Sequence, residues 1–189
     1  MSDASTDQAL VERYLAGDMG AFDDLVRAHQ DRVFATCLRM LRHREAALDA
    51  TQDTFLTLFR KADRFRGEAA FTTWLYRVTM NVCYDHLRRA QRKPADPLPE
   101  HHDQPDPRAM EAIEAVELRP AVERALAGLP DEFRAAIVLV DLQGLALDTA
   151  AAALEVPVGT VKSRLFRGRR LLAEQLGNLS PPNRHPTEA

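Results

Sequence analysis

The stretch LDTAAAALEVPVGTVKSRLFRGRRLLAEQL, residues 147–176, decides the fold of the C-terminal part of this chain. Its pattern predicts a short helix over 147–154, an interruption at 155–159 that contains proline and glycine, and a second helix over 160–176. At about 100° per residue, one face of the second helix collects the residues that can pack on a domain. They are Val161, Leu165, Gly168 and Leu172. A short helix, a tight turn and a basic helix predict a helix-turn-helix.

The opposite face of the second helix carries polar, basic and aromatic side chains. Ser163, Phe166, Arg167 and Arg170 point away from the packing face, and Lys162 flanks them. Such groups contact phosphates and base edges in a major groove. A solvated basic face near a helix C-terminus, which the helix dipole also favours, is the ordinary alternative. Because a turn and a short helix precede this face, we interpret it as a DNA-reading surface.

Proline divides the chain into two parts. Five prolines fall within fourteen residues, at Pro94, Pro97, Pro99, Pro105 and Pro107. Because proline fixes φ and disfavours helix at the preceding residue, 94–118 is predicted to be an extended, acidic linker. We expect a helical domain over 20–93, the helix-turn-helix domain over 119–176, and a disordered tail over 177–189.

Both parts show helical periodicity and no competing strand alternation. Before the linker, apolar residues recur at helical spacing around 22–26, 33–41, 48–59 and 71–82, which predicts four helices, with a loop at 63–70 held by Gly67. After the linker, helices are expected at 119–127, 131–140, 147–154 and 160–176. The predicted fold class is all-α, with two small helical domains joined by the Pro-rich linker.

Composition excludes several classes of protein. The longest apolar run has six residues, 135–140, against the ~20 that cross a bilayer, so no membrane insertion is expected. The N-terminus lacks the pattern of a secretory signal, and we expect the protein in the cytoplasm. Cys37 and Cys83 lie in helical patterns without metal-ligand spacing, so neither a disulfide framework nor a metal site is expected. No nucleophile-base set, phosphate loop or spaced carboxylate pair appears, which predicts that the chain is not an enzyme.

The net charge of −3 hides a strong separation of charge along the chain. Residues 86–93 and 162–170 are basic and contain no acid, whereas the acids gather near the N-terminus and in the linker. Seven of the twelve aromatic residues lie between Phe55 and Tyr84, just upstream of the first basic patch. Rings interleaved with Arg88, Arg89 and Arg92 suit unstacked bases, although most of the rings are expected in the core.

A third candidate surface lies on the helix around 49–60. Leu48, Phe55, Leu58 and Phe59 are predicted to form its buried stripe. Its second cluster lies about 110° away and consists of Asp49, Gln52, Asp53, Leu56 and Arg60. An exposed leucine among charges is ordinary on a surface, so the pattern alone leaves partner docking and a plain solvated face both open.

The motifs resemble those of a known family. FRGEAAFTTWLYR (65–77), followed by Asn81 and DHLRR (85–89), looks like the promoter-melting region of bacterial sigma factors of the extracytoplasmic-function (ECF) group, sigma-E-like. VPVGTVKSRLFR (156–167) looks like the helix-turn-helix of the same group. Together with DATQDTFL (49–56), the resemblance covers residues ~20 to 176.

The resemblance implies a subunit that binds core RNA polymerase, through its largest and second-largest subunits, and directs it to promoters. Polymerase would be bound by Asp49, Gln52, Asp53 and Leu56, which would meet the clamp helices of the largest subunit. Melted −10 DNA, with a flipped base, would be bound by Phe65, Arg66, Gly67, Glu68, Ala69, Ala70, Trp74, Asn81, Arg88, Arg89 and Arg92. Double-stranded −35 DNA would be bound by Thr160, Lys162, Ser163, Arg164, Phe166, Arg167 and Arg170.

The resemblance also implies an anti-sigma protein as a partner, and no cofactor or metal. This chain departs from the family at Glu155, a turn position where glycine is common, so a left-handed backbone there would cost ~1 kcal/mol. The alternative function is a stand-alone helix-turn-helix regulator, whose N-terminal domain would bind a ligand or dimerise. The aromatic and basic end of that domain distinguishes the two functions, because a stand-alone regulator needs no contacts to single-stranded DNA.

Overall fold

A computed structural model describes residues 4–62, 65, 70–92 and 121–177 of the 189-residue chain. The predicted linker and nearly all of the predicted tail lie outside this part. The described secondary structure is entirely helical, which confirms the all-α fold class. None of the described helices is long and apolar enough to cross a membrane.

The N-terminal domain contains four described helices. They are α1 (Ala4–Leu15), α2 (Met19–Leu41), α3 (Arg44–Lys61) and α4 (Phe71–Arg92). The prediction of four helices was wrong in detail, because the segments around 22–26 and 33–41 form one helix and α1 was not predicted. α2 begins at Asp18, whose side chain accepts a hydrogen bond from the Gly20 amide at 3.0 Å, as expected of an N-cap.

α1 is fastened to α2 by a buried polar pair. Asp7 Oδ1 lies 3.0 Å from His29 Nε2, and both side chains are almost completely buried. Around this pair, Val11, Leu25 and Val33 belong to the apolar core. The contact satisfies one oxygen of the buried carboxylate, whereas Asp7 Oδ2 has no hydrogen-bond partner among the described residues. The domain core therefore includes residues that precede position 20.

The C-terminal domain begins in the described residues with α5, helical over 121–127, and a break at 128–130. α6 (Asp131–Ile137) continues directly into a π-helical turn, Val138–Leu142, before the helix pair α7 (Leu147–Leu154) and α8 (Val158–Gly177). α8 thus extends through Gly177, which had been assigned to the tail.

The packing face of α8 is the predicted one. Val161, Leu165 and Gly168 are buried, and α8 packs against α6 and α7. The absence of a side chain at Gly168 is essential here, because a Cβ atom would lie 2.8 Å from Ile137 Cδ1 and 3.3 Å from Phe133 Cβ. The close approach of α6 and α8 therefore depends on this glycine.

The two domains contact each other in this structure. α4 packs against α7, and the C-terminal end of α2 approaches α6. Arg134 of α6 donates a hydrogen bond from Nη1 to the Met40 carbonyl of α2 at 2.9 Å. Arg42, which ends α2 with a left-handed backbone, donates to the Ala127 carbonyl at 2.8 Å. The domain junction therefore combines helix packing with hydrogen bonds to carbonyls at helix ends.

Gly168→Ala is expected to destabilise the protein by about 1–3 kcal/mol, because the added methyl group overpacks the contact of α8 with α6. Gly159→Ala is the matched control, since nothing lies within 4 Å of its Cβ position and alanine is the better helix former. Urea unfolding of both variants measures the difference. Wild-type stability of Gly168→Ala would contradict the packing described here.

Glu155→Gly is expected to stabilise the protein by about 1 kcal/mol. Glu155 ends α7 with φ 54° and ψ 41°, the left-handed conformation that was expected, and glycine adopts it without a Cβ clash. Glu155→Ala is the control, because it removes the carboxylate and keeps the strain. Equal stability of the Gly and Ala variants in urea unfolding would show that this turn carries no strain.

Candidate functional site

The outward face of α8 is built as the sequence predicts. Phe166 is 70% exposed, which is exceptional for a large apolar side chain. Ser163 and Arg167 are also exposed on the side opposite Val161, and Lys162 is exposed beside them. The face is therefore available to a partner, with an aromatic ring placed among cations and a hydroxyl.

Thr160 and Arg164 lie at the edges of this surface and are half-buried. The Ser163 hydroxyl donates to the Thr160 carbonyl at 2.9 Å, so that it is oriented along the helix in this structure. Burial raises the pKa of Tyr84 on α4, and the nearby positive charge of Arg164 opposes this with a smaller lowering effect. One of the predicted −35 contacts thus faces the domain junction.

The cations of α8 divide into paired and unpaired groups. Arg169 forms two hydrogen bonds with Asp141, and Arg170 lies 3.5 Å from Glu174. Within the described part of the chain, Lys162 and Arg167 have no ion-pair partner. Cationic side chains without an ion-pair partner are the ones most readily available to contact phosphates or base edges.

The basic end of α4 is also exposed. Arg88, Arg89 and Arg92 line its last two turns, and Asn81 is exposed two turns earlier. Arg88 forms an ion pair with Asp85, and both side chains are exposed. The end of the helix therefore presents a cationic surface, with one of its three arginines paired.

The aromatic cluster before α4 is mostly a packing device. Trp74 is only 9% exposed, stacks on Phe65 at a ring distance of 5.2 Å, and meets Phe71 edge to face. Trp74 stays a predicted DNA contact, but most of its ring lies in the core, where it supports Phe65. Ala70 is exposed, whereas Arg66, Gly67, Glu68 and Ala69 lie outside the described residues.

The docking candidates on α3 are exposed to different extents. Asp49 and Gln52 are exposed, and Leu56 is 42% exposed. Asp53 is half-buried and lies 3.0 Å from His86 Nε2, so its carboxylate also ties α3 to α4. These residues share one side of α3, but Asp53 has a structural partner that the sequence did not indicate.

The predicted buried stripe of α3 was partly wrong. Leu58 is buried, but Leu48 and Phe59 are exposed, and the core is reached instead by Ala47, Ala50 and Thr54. The small residues allow α3 to lie close to α2, which leaves the larger side chains at the margin. Helical spacing identified the apolar residues without showing which of them another helix covers.

An apolar groove of about 400 Å³ opens between α2 and α3 next to these residues. It is lined by Phe22, Val26, Gln52, Phe55, Leu56 and Phe59. Phe22 and Phe59 meet edge to face at 5.3 Å, and the ring of Tyr14 contacts both of them. Phe22, Val26 and Phe59 were not predicted as site residues. The i, i+4 spacing of Phe22 with Val26, and of Phe55 with Phe59, indicated only core positions.

A second depression, of about 530 Å³, lies beside the outward face of α8. Its apolar lining is Val140, Leu147, Leu165 and Phe166, and its rim carries Lys162, Arg169 and Arg170. The π-helical turn and the start of α7 therefore lie next to the candidate DNA surface.

Among the described residues, no group of three or more His, Cys, Asp or Glu side chains is arranged to hold a metal ion. Cys37 and Cys83 are fully buried, with their sulfur atoms 3.7 Å apart. The contact with Cys37, together with burial, raises the pKa of the Cys83 thiol well above its usual value. The hydrogen bond with Cys83 lowers the pKa of Cys37, against the raising effect of burial. Both side chains are enclosed in the core, as is typical of cysteines that serve in packing.

Two family models match the chain. Sigma-70 region 2 matches residues 25–93, and Sigma-70, region 4 matches residues 119–172. The first match includes α3, α4 and all of the lining of the groove between α2 and α3 except Phe22, and the second includes the helix-turn-helix. The two matches therefore fall on the two domains that carry the candidate surfaces.

Relatives and solved structures agree with these matches. The ECF RNA polymerase sigma factor SigM of Mycobacterium tuberculosis is 42% identical over 93% of this chain and 87% of its own length. The ECF RNA polymerase sigma-E factor of Haemophilus influenzae is 35% identical over 93% of this chain and 98% of its own. The structure of CnrH in complex with the cytosolic domain of CnrY superposes with a TM-score of 0.72 at 25% identity, covering 93% of this chain and 99% of that chain. With helices, motifs and relatives in agreement, the chain belongs to the sigma-70 family as an RNA polymerase sigma factor of the ECF group.

Proposed function

We propose that this chain is a non-catalytic initiation subunit that binds core RNA polymerase in the cytoplasm and directs it to promoters through two DNA-binding surfaces. The observation that carries the proposal is the outward face of α8, where Phe166, Lys162 and Arg167 are exposed without partners on a helix whose other face is buried. The α3 groove and the basic end of α4 supply the further contacts that a promoter-specific subunit requires.

The proposed role of α8 is to read the −35 element as duplex DNA. An α-helix fits the major groove, arginine is the commonest reader of guanine, and Phe166 is placed to contact a thymine methyl group. Lys162 and Arg170 suit phosphate contacts, which position the helix without selecting sequence.

The proposed role of α4 is to bind the −10 element after melting. Arg88, Arg89 and Arg92 would hold the backbone, while Phe65 and Asn81 would contact an extruded base. Support comes from the exposure of Asn81 and the arginines, and from the packing of Trp74, which holds the ring of Phe65. Extrusion costs a few kcal/mol, which a preformed surface helps to offset.

The proposed polymerase contact is the groove between α2 and α3. Its lining is almost wholly apolar, and Asp49 and Asp53 lie on the same helix. An amphipathic helix with an apolar stripe and basic flanks would match this surface, and the clamp helices of the largest polymerase subunit are the proposed partner. An anti-sigma protein that covers the same groove would keep the chain inactive.

The closed junction between the domains must open for both DNA contacts to form. The names of the −10 and −35 elements place them about 25 base pairs apart, or about 85 Å of B-DNA. α4 is about 33 Å long and contacts α7, which packs on α8. Two helix–helix distances of about 8–10 Å added to that length give roughly 50 Å, which is well short of ~85 Å. The Tyr76 to Gln143 hydrogen bond, 3.1 Å, would break in this opening.

The polymerase contact is tested with Gln52→Ala combined with Leu56→Ala. Both side chains are exposed, so helical circular dichroism and the melting temperature should stay within the small range of surface substitutions. Loss of an anchor from the centre of an interface commonly costs 2 kcal/mol or more, which predicts roughly thirtyfold weaker binding to core polymerase. Asp53 is left unchanged, because its substitution would also remove the contact with His86, and a loss of binding could then result from impaired folding.

Leu15→Ala is the matched control for the docking test, because Leu15 is an exposed leucine of the same domain outside the groove. It should leave polymerase affinity unchanged in the same titration. Wild-type affinity of the double variant would reject the docking surface. Nanomolar, sequence-specific duplex binding without polymerase would instead favour a stand-alone regulator.

Base reading is tested with Arg167→Ala in the polymerase complex. We expect a loss of about 1–3 kcal/mol on the preferred upstream element and a relaxed choice of base there, measured by competition among upstream variants. Arg169→Ala, which removes an arginine already paired with Asp141, should change base preference little. An equal loss on every upstream sequence would show that Arg167 contacts only phosphate.

A further inference from the structure

Arg169 and Asp141 form a forked ion pair on the flank of α8. Arg169 Nε donates to Asp141 Oδ2 at 2.9 Å, and Nη2 donates to Oδ1. These hydrogen bonds raise the pKa of Arg169, so the guanidinium stays charged while its fork is occupied. Arg169 is 58% exposed and Asp141 29%, which places the carboxylate on the inner side of the pair.

The origin of the acid distinguishes this pair from its neighbour. Arg170 and Glu174 lie one turn apart on α8, are joined by one contact of 3.5 Å, and are both largely exposed. Such a pair exchanges readily with solvent. Asp141 comes from the π-helical turn, 28 residues away, so the fold fixes its carboxylate and the bidentate geometry restrains Arg169.

Arg169 lies at the border of the candidate DNA surface. At about 100° per residue it is about 80° from Val161 and about 60° from Phe166, between the packed face and the outward face. It shares the rim of the depression beside α8 with Lys162 and Arg170. A released Arg169 side chain would therefore have a phosphate backbone within reach whenever α8 entered a major groove.

We infer that Asp141 is a specificity-determining residue, which holds Arg169 away from DNA phosphate and so limits sequence-independent binding. A phosphate contact strengthens binding to every sequence equally, whereas the exposed Arg167 and Phe166 are placed to distinguish bases. If Arg169 is kept from contacting phosphate, the chain binds the many non-specific DNA sites less tightly and loses no contact with a base. The inference rests on the proposed role of α8 as a DNA-reading helix.

The test measures binding of the full chain to a random-sequence DNA duplex across a salt series, for wild type and Asp141→Asn. One additional phosphate contact should make the plot of log affinity against log salt steeper by about 0.9. The variant should bind about tenfold tighter at 50 mM salt and about threefold tighter at 200 mM. Asp141→Glu, which keeps a carboxylate, should restore the wild-type slope, and circular dichroism verifies the folding of each variant.

Two further variants separate release of Arg169 from a change in net charge. Glu174→Gln removes one acid from α8 itself and should change the slope much less. In an Arg169→Ala background, Asp141→Asn should leave the slope unchanged. An unchanged slope in Asp141→Asn, an equal change in Glu174→Gln, or persistence of the effect without Arg169 would overturn the inference. Absence of duplex binding by every variant at 50 mM salt would also overturn the inference, whereas the DNA-reading role of α8 is decided separately by Arg167→Ala in the polymerase complex.

Discussion

The buried guanidinium of Arg134 is the interaction on which the start of the C-terminal domain and its contact with the N-terminal domain depend. Its side chain is 2% exposed, and all five N–H donors of an arginine are used. The acceptors are the carbonyls of Leu126, Ala127, Leu129 and Met40 and the Asp131 carboxylate. Burial lowers the pKa of Arg134, but arginine stays charged in proteins, so these acceptors are required to compensate its desolvation.

Three parts of the fold are fixed by this one side chain. Carbonyls at the end of a helix lack the partners of a continuing helix. Arg134 donates to those of Leu126, Ala127 and Leu129, in addition to the Leu129 amide on Leu126 and Arg42 on Ala127. Asp131 connects the same guanidinium to the first turn of α6. The Met40 carbonyl extends the network to the end of α2, in the other domain. A short break between helices is thereby made rigid, and the helix-turn-helix is held against the N-terminal domain.

The C-terminal domain could be predicted from its sequence because its signals are local. Glycine and proline mark each interruption, and the spacing of Val161, Leu165 and Gly168 identifies the face of α8 that packs. The residues of α8 outside that packing face were therefore expected to be exposed. The left-handed Glu155 was also foreseeable, since its turn position follows from the motif.

The rest depends on contacts between distant residues that periodicity does not record. α1 was missed because Asp7 and His29, polar residues buried against each other, replace part of an apolar stripe. The same buried histidine interrupts the pattern of α2 and made it look like two helices. The pairing of Asp53 with His86, the burial of Trp74 and the fork between Asp141 and Arg169 likewise required the packed structure.

The exposure of candidate residues was predicted best where it depends on one helix alone, as for Phe166 and Arg167. It was predicted least well where two helices form a surface together. The α3 groove needs Phe22 and Val26 from α2, and sequence spacing on either helix alone indicated only core. The function proposed here combines both kinds of surface in one chain.

Run-off transcription with purified core RNA polymerase tests that function most directly. A linear template carrying upstream regions from the cell that makes this protein is transcribed by core polymerase with and without the chain. The account predicts discrete run-off products from a defined start site only when the chain is present, and none with core polymerase alone. Identical products with and without a correctly folded chain, or a chain that binds promoter DNA without changing where polymerase starts, would contradict it.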